Sequence, residues 1–182
     1  MKTTLQKGLV ALTVCLFFGV SVAQTDLPKN NETGLFSFEK VVQQPNGNNQ
    51  ELYRRLISWV NKYYKNPKEV IKEQNDASQE LLIAHRFKIF NIPEKGAKTD
   101  AGLVEYKLRV TCKDGRYRYE LTNIQWKQTS SFPIERWTDP KYSKGHPEYA
   151  SYLKQVEEQV TIILDALQKA MAETGANVKA DW

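Results

Sequence analysis

Two hydrophobic periods run along this chain, and together they predict a mixed α and β fold. Residues 49–64 carry an apolar stripe at the spacing of an amphipathic helix, formed by Leu52, Leu56, Trp59, Val60 and Tyr63. A second stripe of this period runs through residues 149–171 and predicts a long final helix, which Gly175 would end. Residues 104–112 instead alternate apolar and polar side chains, as half-buried strands do.

Further strands are predicted on both sides of the first helix. Residues 35–43 and 80–90 alternate in the same way, and residues 70–74 form a weaker candidate. Asn48 stands three residues before Glu51, which is the spacing of a capping box and predicts the start of the helix. The element order is therefore β-α-β(n)-α. We predict an α+β domain in which a curved antiparallel sheet carries both helices on one face.

The Asp-Gly turn at residues 114–115 predicts how two of these strands pair. Asp-Gly between two alternating runs is a strong signal for a two-residue hairpin loop, and such a loop fixes the register. Cys112 then opposes Tyr117, and Val110 opposes Tyr119, on the core side of the sheet. The tyrosines should therefore point towards the helices.

The arginines of the same hairpin are predicted on the outward face. Arg116 and Arg118 should point to solvent, and Arg109 should oppose Glu120 as a cross-strand pair of opposite charge. Part of the charge on this face is therefore expected to be neutralised within the sheet.

The alternation slips near the end of the second hairpin strand. Strict pairing would place the apolar Ile124 and Trp126 on the outward face. One extra residue near positions 122–123 restores their inward orientation and sets them opposite Tyr106 and Val104. The sequence therefore predicts a β-bulge at this point.

The first 23 residues have the composition of a secretory signal peptide. Lys2 and Lys7 precede an apolar run at residues 9–20, and the small residues at 21–23 suit cleavage before Gln24. The run is shorter than the roughly 20 residues of a membrane span. We therefore expect an exported protein, periplasmic or extracellular, with no transmembrane segment after cleavage.

The leader also bears on the domain organisation. Cys15 ends a sequence like a lipid-attachment box, but Val14 is larger than the small residue such a box requires, which disfavours a lipoprotein. The predicted divisions after the leader are a flexible lead-in at residues 24–34, a single domain at 35–175 and a C-terminal tail at 176–182.

Three stretches resemble a known family. They are residues 51–53, residues 59–61 at the end of the same helix, and above all residues 114–119, which read DGRYRY. With the leader, they resemble the secreted bacterial family of domains of unknown function that has a TBP-like fold, over roughly residues 36–173. The resemblance implies a TBP-like or helix-grip-like topology in an envelope protein, and it brings no known catalytic residues.

Few residues suggest catalysis or a metal site. His85 lies on the apolar face of a predicted strand, where a buried structural histidine is expected, and His146 lies just before a predicted helix, where capping or exposure is expected. No metal-ligand spacing and no cofactor-binding motif is present. Cys112 remains the single cysteine after cleavage, so no internal disulfide can form, and its inward position indicates a small core side chain.

Two surfaces are candidates for binding. The first is the basic outward face, represented by Arg109, Arg116 and Arg118. A nucleic-acid partner is not expected there, because the tyrosines that could stack on bases point inward and the leader exports the protein. The second is the long connection at residues 128–145, which carries Phe132, Trp137 and Tyr142; its aromatic side chains could bind a ligand or could fasten the loop to the sheet.

The leading functional hypothesis is a non-catalytic envelope domain that binds a protein or a small ligand through one of these surfaces. The alternative is a hydrolase that uses His85 or His146 with a nearby carboxylate. A third possibility is a structural module whose sheet edge recruits another strand.

Overall fold

The computed structural model describes residues 27–173. The predicted signal peptide, residues 24–26 of the lead-in, the predicted helix cap Gly175 and the C-terminal tail lie outside these residues. In chain order the elements are β1 (Phe38–Gln43), α1 (Asn49–Tyr63), α2 (Pro67–Val70), β2 (Ile71–Asn75), β3 (Glu80–Asn91), β4 (Thr99–Lys113), β5 (Arg116–Lys127), β6 (Ser131–Pro133), a 3-10 helix (Ile134–Trp137), α3 (Pro140–Ser143) and α4 (Glu148–Ala172).

The strands form one six-stranded sheet, and every pairing is antiparallel. Its order is β1-β5-β4-β3-β2, and β6 continues the edge that β1 begins along β5. α1 packs against β4, α4 packs against β3, and the two helices contact each other. The predicted α+β architecture, an antiparallel sheet with two helices on one face, is confirmed.

The core lies between the helices and one face of the sheet. Alternate residues of β4 supply it, as the period of two predicted, together with the apolar stripe of each helix. The fully buried members include Leu52, Leu56, Val60, Leu81, Ile83, Val104, Leu108, Val110, Val156, Val160, Leu167 and Met171. Burial of each such side chain stabilises the fold by about 1.5–3 kcal/mol, so the two patterns suffice to orient the layers.

The first helix begins where the sequence predicts. The side chain of Asn48 accepts a hydrogen bond of 2.8 Å from the backbone N–H of Glu51, which satisfies one of the unpaired donors of the first turn. After α1 the chain does not pass directly into a strand. Pro67 opens the short helix α2, and the weak strand predicted at residues 70–74 is β2, with bounds Ile71–Asn75.

The predicted environment of His85 is wrong. Its neighbours in sequence place it on the helix-facing side of β3, opposite Tyr106, but its side chain is exposed. The reason is that α1 ends at Tyr63, so this part of β3 lies beyond the cover of the helix. The rings of Tyr64 and Tyr106 lie near the imidazole, with centroids 5.0 and 6.5 Å away.

The hairpin has the predicted register. Cys112 pairs with Tyr117 and Val110 pairs with Tyr119. Both tyrosines are buried, with 1% and 6% of their surface exposed, whereas Arg116 and Arg118 are exposed. The inward tyrosines and outward arginines therefore match the prediction.

The predicted β-bulge is also present in β5. Two residues, Asn123 and Ile124, stand against Tyr106 alone. The pairs on either side are Glu105–Gln125 and Lys107–Thr122, followed by Val104–Trp126. Asn123 has a φ of 52°, a left-handed conformation that asparagine adopts more readily than most residues, and the bulge turns Ile124 into the core.

The ion pairs on the outward face differ from the prediction. Arg109 does oppose Glu120 in register, but its guanidinium pairs with Glu80 and Glu73. Glu120 pairs instead with Arg118, two residues away on its own strand. Long side chains lean along the strands, so diagonal and same-strand partners compete with the one directly opposite.

Residues 27–34 of the lead-in and the connection at 128–145 are folded against the domain. In the lead-in, Leu27 is 2% exposed and Lys29 forms a β-bridge with Phe36. The connection at residues 128–145 contains β6, the 3-10 helix and α3, and it buries Ile134 and Trp137. Within residues 27–173, no helix is long and apolar enough to cross a membrane.

Candidate ligand-binding site

The connection folds into a small aromatic cleft beside the N-terminal end of α4. The cavity has a volume of about 260 Å³. We call it the connection cleft; its lining residues are Trp126, Phe132, Arg136, Trp137, Tyr142, His146 and Tyr149. Three of them, Phe132, Trp137 and Tyr142, are the aromatic residues that the sequence analysis selected in this connection.

The floor of the cleft is a rigid cluster of aromatic rings. Trp137 lies 5.5 Å from Trp126, 5.8 Å from Tyr149 and 5.5 Å from Tyr152, measured between ring centroids. Trp126 donates its indole N–H to the carbonyl of Ala101 at 2.8 Å, which fixes its ring. Trp137 is only 4% exposed, so it fastens the connection to the core and reaches a ligand only as part of the floor.

The rim of the cleft holds the cation of Arg136, and Nζ of Lys141 lies 5.1 Å from the ring centroid of Tyr142. The guanidinium carbon of Arg136 lies 4.8 Å from the ring centroid of Phe132 and 4.9 Å from that of Tyr142. Both contacts are cation–π interactions, each worth about 0.5–1 kcal/mol at an exposed site. Tyr142 is 39% exposed, so this side of the cleft is open to solvent.

The opposite rim is formed by a histidine and a tyrosine. The imidazole of His146 stacks on the ring of Tyr149, with centroids 4.7 Å apart and planes inclined by 9°. Its Nδ1 lies 2.9 Å from Oε1 of Glu148. This hydrogen bond lowers the pKa of the Glu148 carboxyl below its ordinary value, so the group is a carboxylate at neutral pH.

The predicted basic residues of the sheet do not join this cleft. Arg109 and Arg118 lie on the outward face and pair with carboxylates, Arg109 with Glu73 at 3.3 Å and Arg118 with Glu39 at 2.8 Å. Arg116 is exposed next to the hairpin turn and forms no ion pair with any residue between 27 and 173. The structure therefore brings together the aromatic candidates but not the arginines.

Sequence reasoning missed the charged and stacked residues of the cleft. Arg136 stands four residues after Phe132 and six before Tyr142, and no regular period connects the three. The 3-10 helix and α3 bring them into contact. Tyr149 was assigned to the apolar stripe of the last helix, and its side chain is only partly buried.

A second, larger depression lies at the edge of the sheet, and we call it the edge groove. Its volume is about 790 Å³. The lining comes from residues 64–72 and from β3, β4 and β5: Tyr64, Lys65, Asn66, Lys68, Glu69, Val70, Lys72, Ala84, His85, Arg86, Glu105, Tyr106, Lys107, Asn123 and Gln125. The lining has more cationic than anionic side chains, and it shares no residue with the connection cleft.

The remaining candidates for chemistry lie apart from one another. Burial raises the pKa of the Cys112 thiol to about 12, so the group is a thiol and not a thiolate at neutral pH. Partial desolvation, and secondarily the charge of Arg86, lower the pKa of His85. Between residues 27 and 173, no group of three or more His, Cys, Asp or Glu side chains is arranged to hold a metal ion.

The fold and these surfaces define a class of protein: a TBP-like α+β domain with an aromatic cleft and a basic groove. The family described as "Domain of unknown function (DUF4468) with TBP-like fold" matches residues 38–127. The matched residues, which include the hairpin and the first helix, form a domain of this family. The matched region ends before β6, so the family assignment does not cover the connection that forms the cleft.

Two solved structures are similar to this chain. A DUF4468 family protein from Bacteroides ovatus aligns with a TM-score of 0.65 and 20% identity, over 82% of this chain and 92% of that one. A TBP-like protein from Parabacteroides distasonis aligns with a TM-score of 0.55 and 18% identity, over 78% of this chain and 96% of that one. At these identities the likeness shows the fold alone. A search of curated proteins gave no significant match.

Proposed function

We propose that this protein is a non-catalytic, exported domain of the cell envelope that binds a small ligand in the connection cleft. The single observation that carries the proposal is the position of Arg136. Its guanidinium lies against two aromatic rings at the mouth of an open cavity, above a fixed aromatic floor.

The floor favours binding because it is already ordered. Trp126 and Trp137 are held by ring contacts and by a hydrogen bond, so a ligand that stacks on this cluster orders few additional side chains. Pre-organisation of this kind reduces the entropic cost of binding. Aromatic rings also offer large apolar faces to a planar ligand or to the C–H face of a sugar.

The rim indicates the charge of the ligand. Across residues 27–173, the guanidinium of Arg136 forms no ion pair and no hydrogen bond with another side chain, although two rings cover part of it. A guanidinium presents a fork of N–H donors that matches a carboxylate. The chemistry of the cleft therefore fits a ring that carries a carboxylate, as in an aromatic acid or a uronic acid.

The outward face of the sheet supports binding less well than the cleft. Two of its three candidate arginines, Arg109 and Arg118, are each engaged by two carboxylates. A ligand there would have to replace these contacts before it gained any. Exposed ion pairs are weak, however, so Arg116 and Arg118 remain suitable for a protein partner with an acidic surface.

The location in the envelope rests on the leader sequence. The charged start, the short apolar run and the small residues before Gln24 together support export. Cell fractionation with an antibody, together with N-terminal sequencing of the mature chain, tests this part of the proposal. A protein that starts at Met1 and remains in the cytoplasm would contradict it.

Nuclear magnetic resonance of the isotope-labelled chain tests the cleft. The probes are benzoate and glucuronate, with benzyl alcohol and methyl glucoside as neutral counterparts. We expect the two acids to shift the indole N–H signals of Trp126 and Trp137 in the millimolar range, and the neutral compounds to bind at least about tenfold more weakly.

Matched variants sharpen this experiment. Arg136→Gln should weaken the binding of the acids about tenfold and leave the neutral probes unchanged, and Tyr142→Ala should weaken both. Tyr63→Ala is the control, because Tyr63 and Tyr142 are both 39% exposed and Tyr63 lies outside the cleft. The proposal would be overturned if the acids shifted only signals outside the cleft, or if they bound to Arg136→Gln as tightly as to the unsubstituted protein.

One observation favours a second candidate function, hydrolysis. His146 lines the same cleft and is hydrogen-bonded to the carboxylate of Glu148, an arrangement that can position an imidazole as a general base. The thiol of Cys112 is not among the residues that line this cleft, so the attacking group would have to be water. Turnover of aryl and glycosyl esters that is lost in His146→Ala, with benzoate binding retained, would establish this alternative over the non-catalytic one.

A further inference from the structure

The outer edge of β3 is only partly covered by its neighbour. β2 pairs with β3 from Asn75 opposite Glu80 to Ile71 opposite Ile83, and there the ladder ends. β3 itself continues for eight further residues, to Asn91. Among residues 27–173, no strand pairs with this later part of β3 on the side away from β4.

A side chain closes the far end of this edge. Gln155 of α4 accepts a hydrogen bond from the backbone N–H of Phe90 at 2.9 Å through Oε1. Its Nε2 donates to the backbone carbonyl of the same residue, also at 2.9 Å. The amide of Gln155 thus makes the two bonds that one residue of a neighbouring strand would make.

Two residues between these two limits, Arg86 and Lys88, have free backbone groups. Because the N–H and C=O groups of a strand alternate between its two sides, Ala84, Arg86 and Lys88 point the same way as Phe90. The extra residue of the irregularity near Phe90 is Ala101 in β4, so the alternation within β3 is unbroken. The pairing of Ile71 with Ile83 directs the N–H of Ala84 to the carbonyl of Val70. Between residues 27 and 173, no hydrogen bond satisfies the outward backbone groups of Arg86 and Lys88.

The surroundings of this edge are positively charged. The edge groove follows β3 from Ala84 to Arg86, and its cations are Lys65, Lys68, Lys72, Arg86 and Lys107, against two anions, Glu69 and Glu105. Glu105 is already shared by Arg86 at 4.0 Å and Lys127 at 3.1 Å. The groove therefore carries an excess of positive charge beside unpaired backbone donors and acceptors.

The two faces of the edge have different chemistry. The side chains of Ala84, Arg86 and Lys88 lie on the outward face, where Arg86 is 4.0 Å from Glu105 and Lys88 forms an exposed ion pair with Asp100 at 2.8 Å. His85 and Phe87 lie on the helix-facing side, where Phe87 packs partly against the core and His85 meets the ring of Tyr64. A strand added here would have one face towards cations and the other towards aromatic rings.

We propose that the edge of β3 between α2 and Gln155 binds an extended acidic peptide, which adds to the sheet as a further strand. The peptide alternates acidic residues, which meet Arg86 and Lys88, with apolar residues, which meet His85 and Phe87. Main-chain hydrogen bonds to Arg86 and Lys88 provide the affinity, and the alternation provides the selectivity.

Synthetic peptides test the hydrogen bonds and the charges separately. The probe is a capped nine-residue peptide that alternates glutamate with valine, and its counterpart replaces each glutamate by lysine. Two further versions of the glutamate peptide carry N-methyl groups on alternate residues. In one version they block the N–H groups along one edge of the added strand, and in the other they block those along the opposite edge. Isothermal titration should show that the lysine peptide fails to bind, and that one N-methylated version loses at least about tenfold in affinity while the other does not.

Variants of the protein locate the site. Arg86→Pro removes one outward N–H without breaking the ladder with β4, and we expect it to weaken binding about tenfold more than Arg86→Ala, which loses only the side chain. Arg86→Glu should weaken binding by at least about tenfold, while Arg116→Glu, the same charge change at the hairpin, should not. Circular dichroism and thermal melts verify that each variant is folded.

Hydrogen exchange distinguishes the proposed peptide from other possible occupants of the β3 edge. The bound peptide should protect the amides of Arg86 and Lys88. Equal binding of both N-methylated versions, or protection confined to the connection cleft, would overturn the proposal. A concentration-dependent dimer that Arg86→Pro converts to a monomer would assign the edge to a second copy of this chain instead. The connection cleft shares no residue with this edge, so failure of either proposal leaves the other intact.

Discussion

At the scale of single residues, position in the fold determines the chemistry available to each reactive side chain. Cys112 alternates inward beside Val110 and is 1% exposed. His85 occupies an equally inward position on β3 but lies where the helix no longer covers the sheet. The same strand period therefore yields a buried thiol in one place and an exposed imidazole in the other.

The thiol of Cys112 should behave as a core group. Because burial raises its pKa to about 12, we expect no reaction with a thiol reagent in the native protein and full reaction after unfolding. Cys112→Ser should lower the free energy of unfolding by about 1–3 kcal/mol, because it buries a hydroxyl in an apolar site. Urea denaturation measures the change. Rapid labelling of the native protein would contradict this assignment.

His85 should make the stability depend on pH in the acid range. Its pKa is lowered in the folded state, so the unfolded chain binds more protons between the ordinary value of 6.5 and the folded value. The free energy of unfolding should therefore fall as the pH falls through about 6.5. His85→Gln should reduce this dependence, and His146→Gln provides the control at the other histidine. A free energy of unfolding that rises as the pH falls through this range would contradict the lowered pKa of His85.

At the scale of elements, local sequence signals predicted where several elements begin. The capping contact at Asn48 and the Asp-Gly turn at 114–115 act between neighbours in the chain, so their geometry follows from the residues themselves. The bulge at Asn123 could be inferred because a strand period of two leaves no other way to bury Ile124.

The start of the first helix offers a direct test of this reasoning. Asn48→Ala should lower the free energy of unfolding by about 1 kcal/mol, because the N–H of Glu51 loses its partner. Asn61→Ala, at an exposed position inside α1, should be neutral or slightly stabilising, because alanine has the higher helix propensity. Equal effects of the two substitutions in chemical denaturation would argue against the cap.

At the scale of the whole molecule, the connection between β5 and α4 joins the sheet to the last helix. It adds β6 to the sheet edge and buries Ile134 and Trp137. In addition, Glu135 accepts a hydrogen bond of 2.6 Å from the backbone N–H of Phe36, far away in the sequence. The connection is thus part of the core, and the cleft is its outer surface.

Two substitutions separate the structural role of the connection from its proposed binding role. Trp137→Ala should lower the free energy of unfolding by about 3–5 kcal/mol, because it leaves a cavity among three aromatic rings, those of Trp126, Tyr149 and Tyr152. Tyr142→Ala removes an exposed ring and should cost no more than about 1 kcal/mol, from its contacts with Arg136 and Lys141. Thermal and urea unfolding measure both. Similar losses would mean that the rim of the cleft is also structural.

The sequence by itself determined the layers of this protein. The periods of 3.6 and 2, the helix cap, the tight turn and the bulge depend on residues that are close along the chain or directly paired, and the hydrophobic effect orients them without further information. The composition of the first 23 residues likewise supports a proposal of export without any structure.

Only the tertiary structure decided which side chains meet. The contacts of Arg136 with Phe132 and Tyr142 and of Gln155 with Phe90, together with the exposure of His85, depend on where each element ends and how it packs on its neighbours. The partners of Arg109 on β3 and β2 depend on the same packing. These contacts join residues that no period relates, so the hydrophobic pattern orients each element but does not specify its side-chain partners.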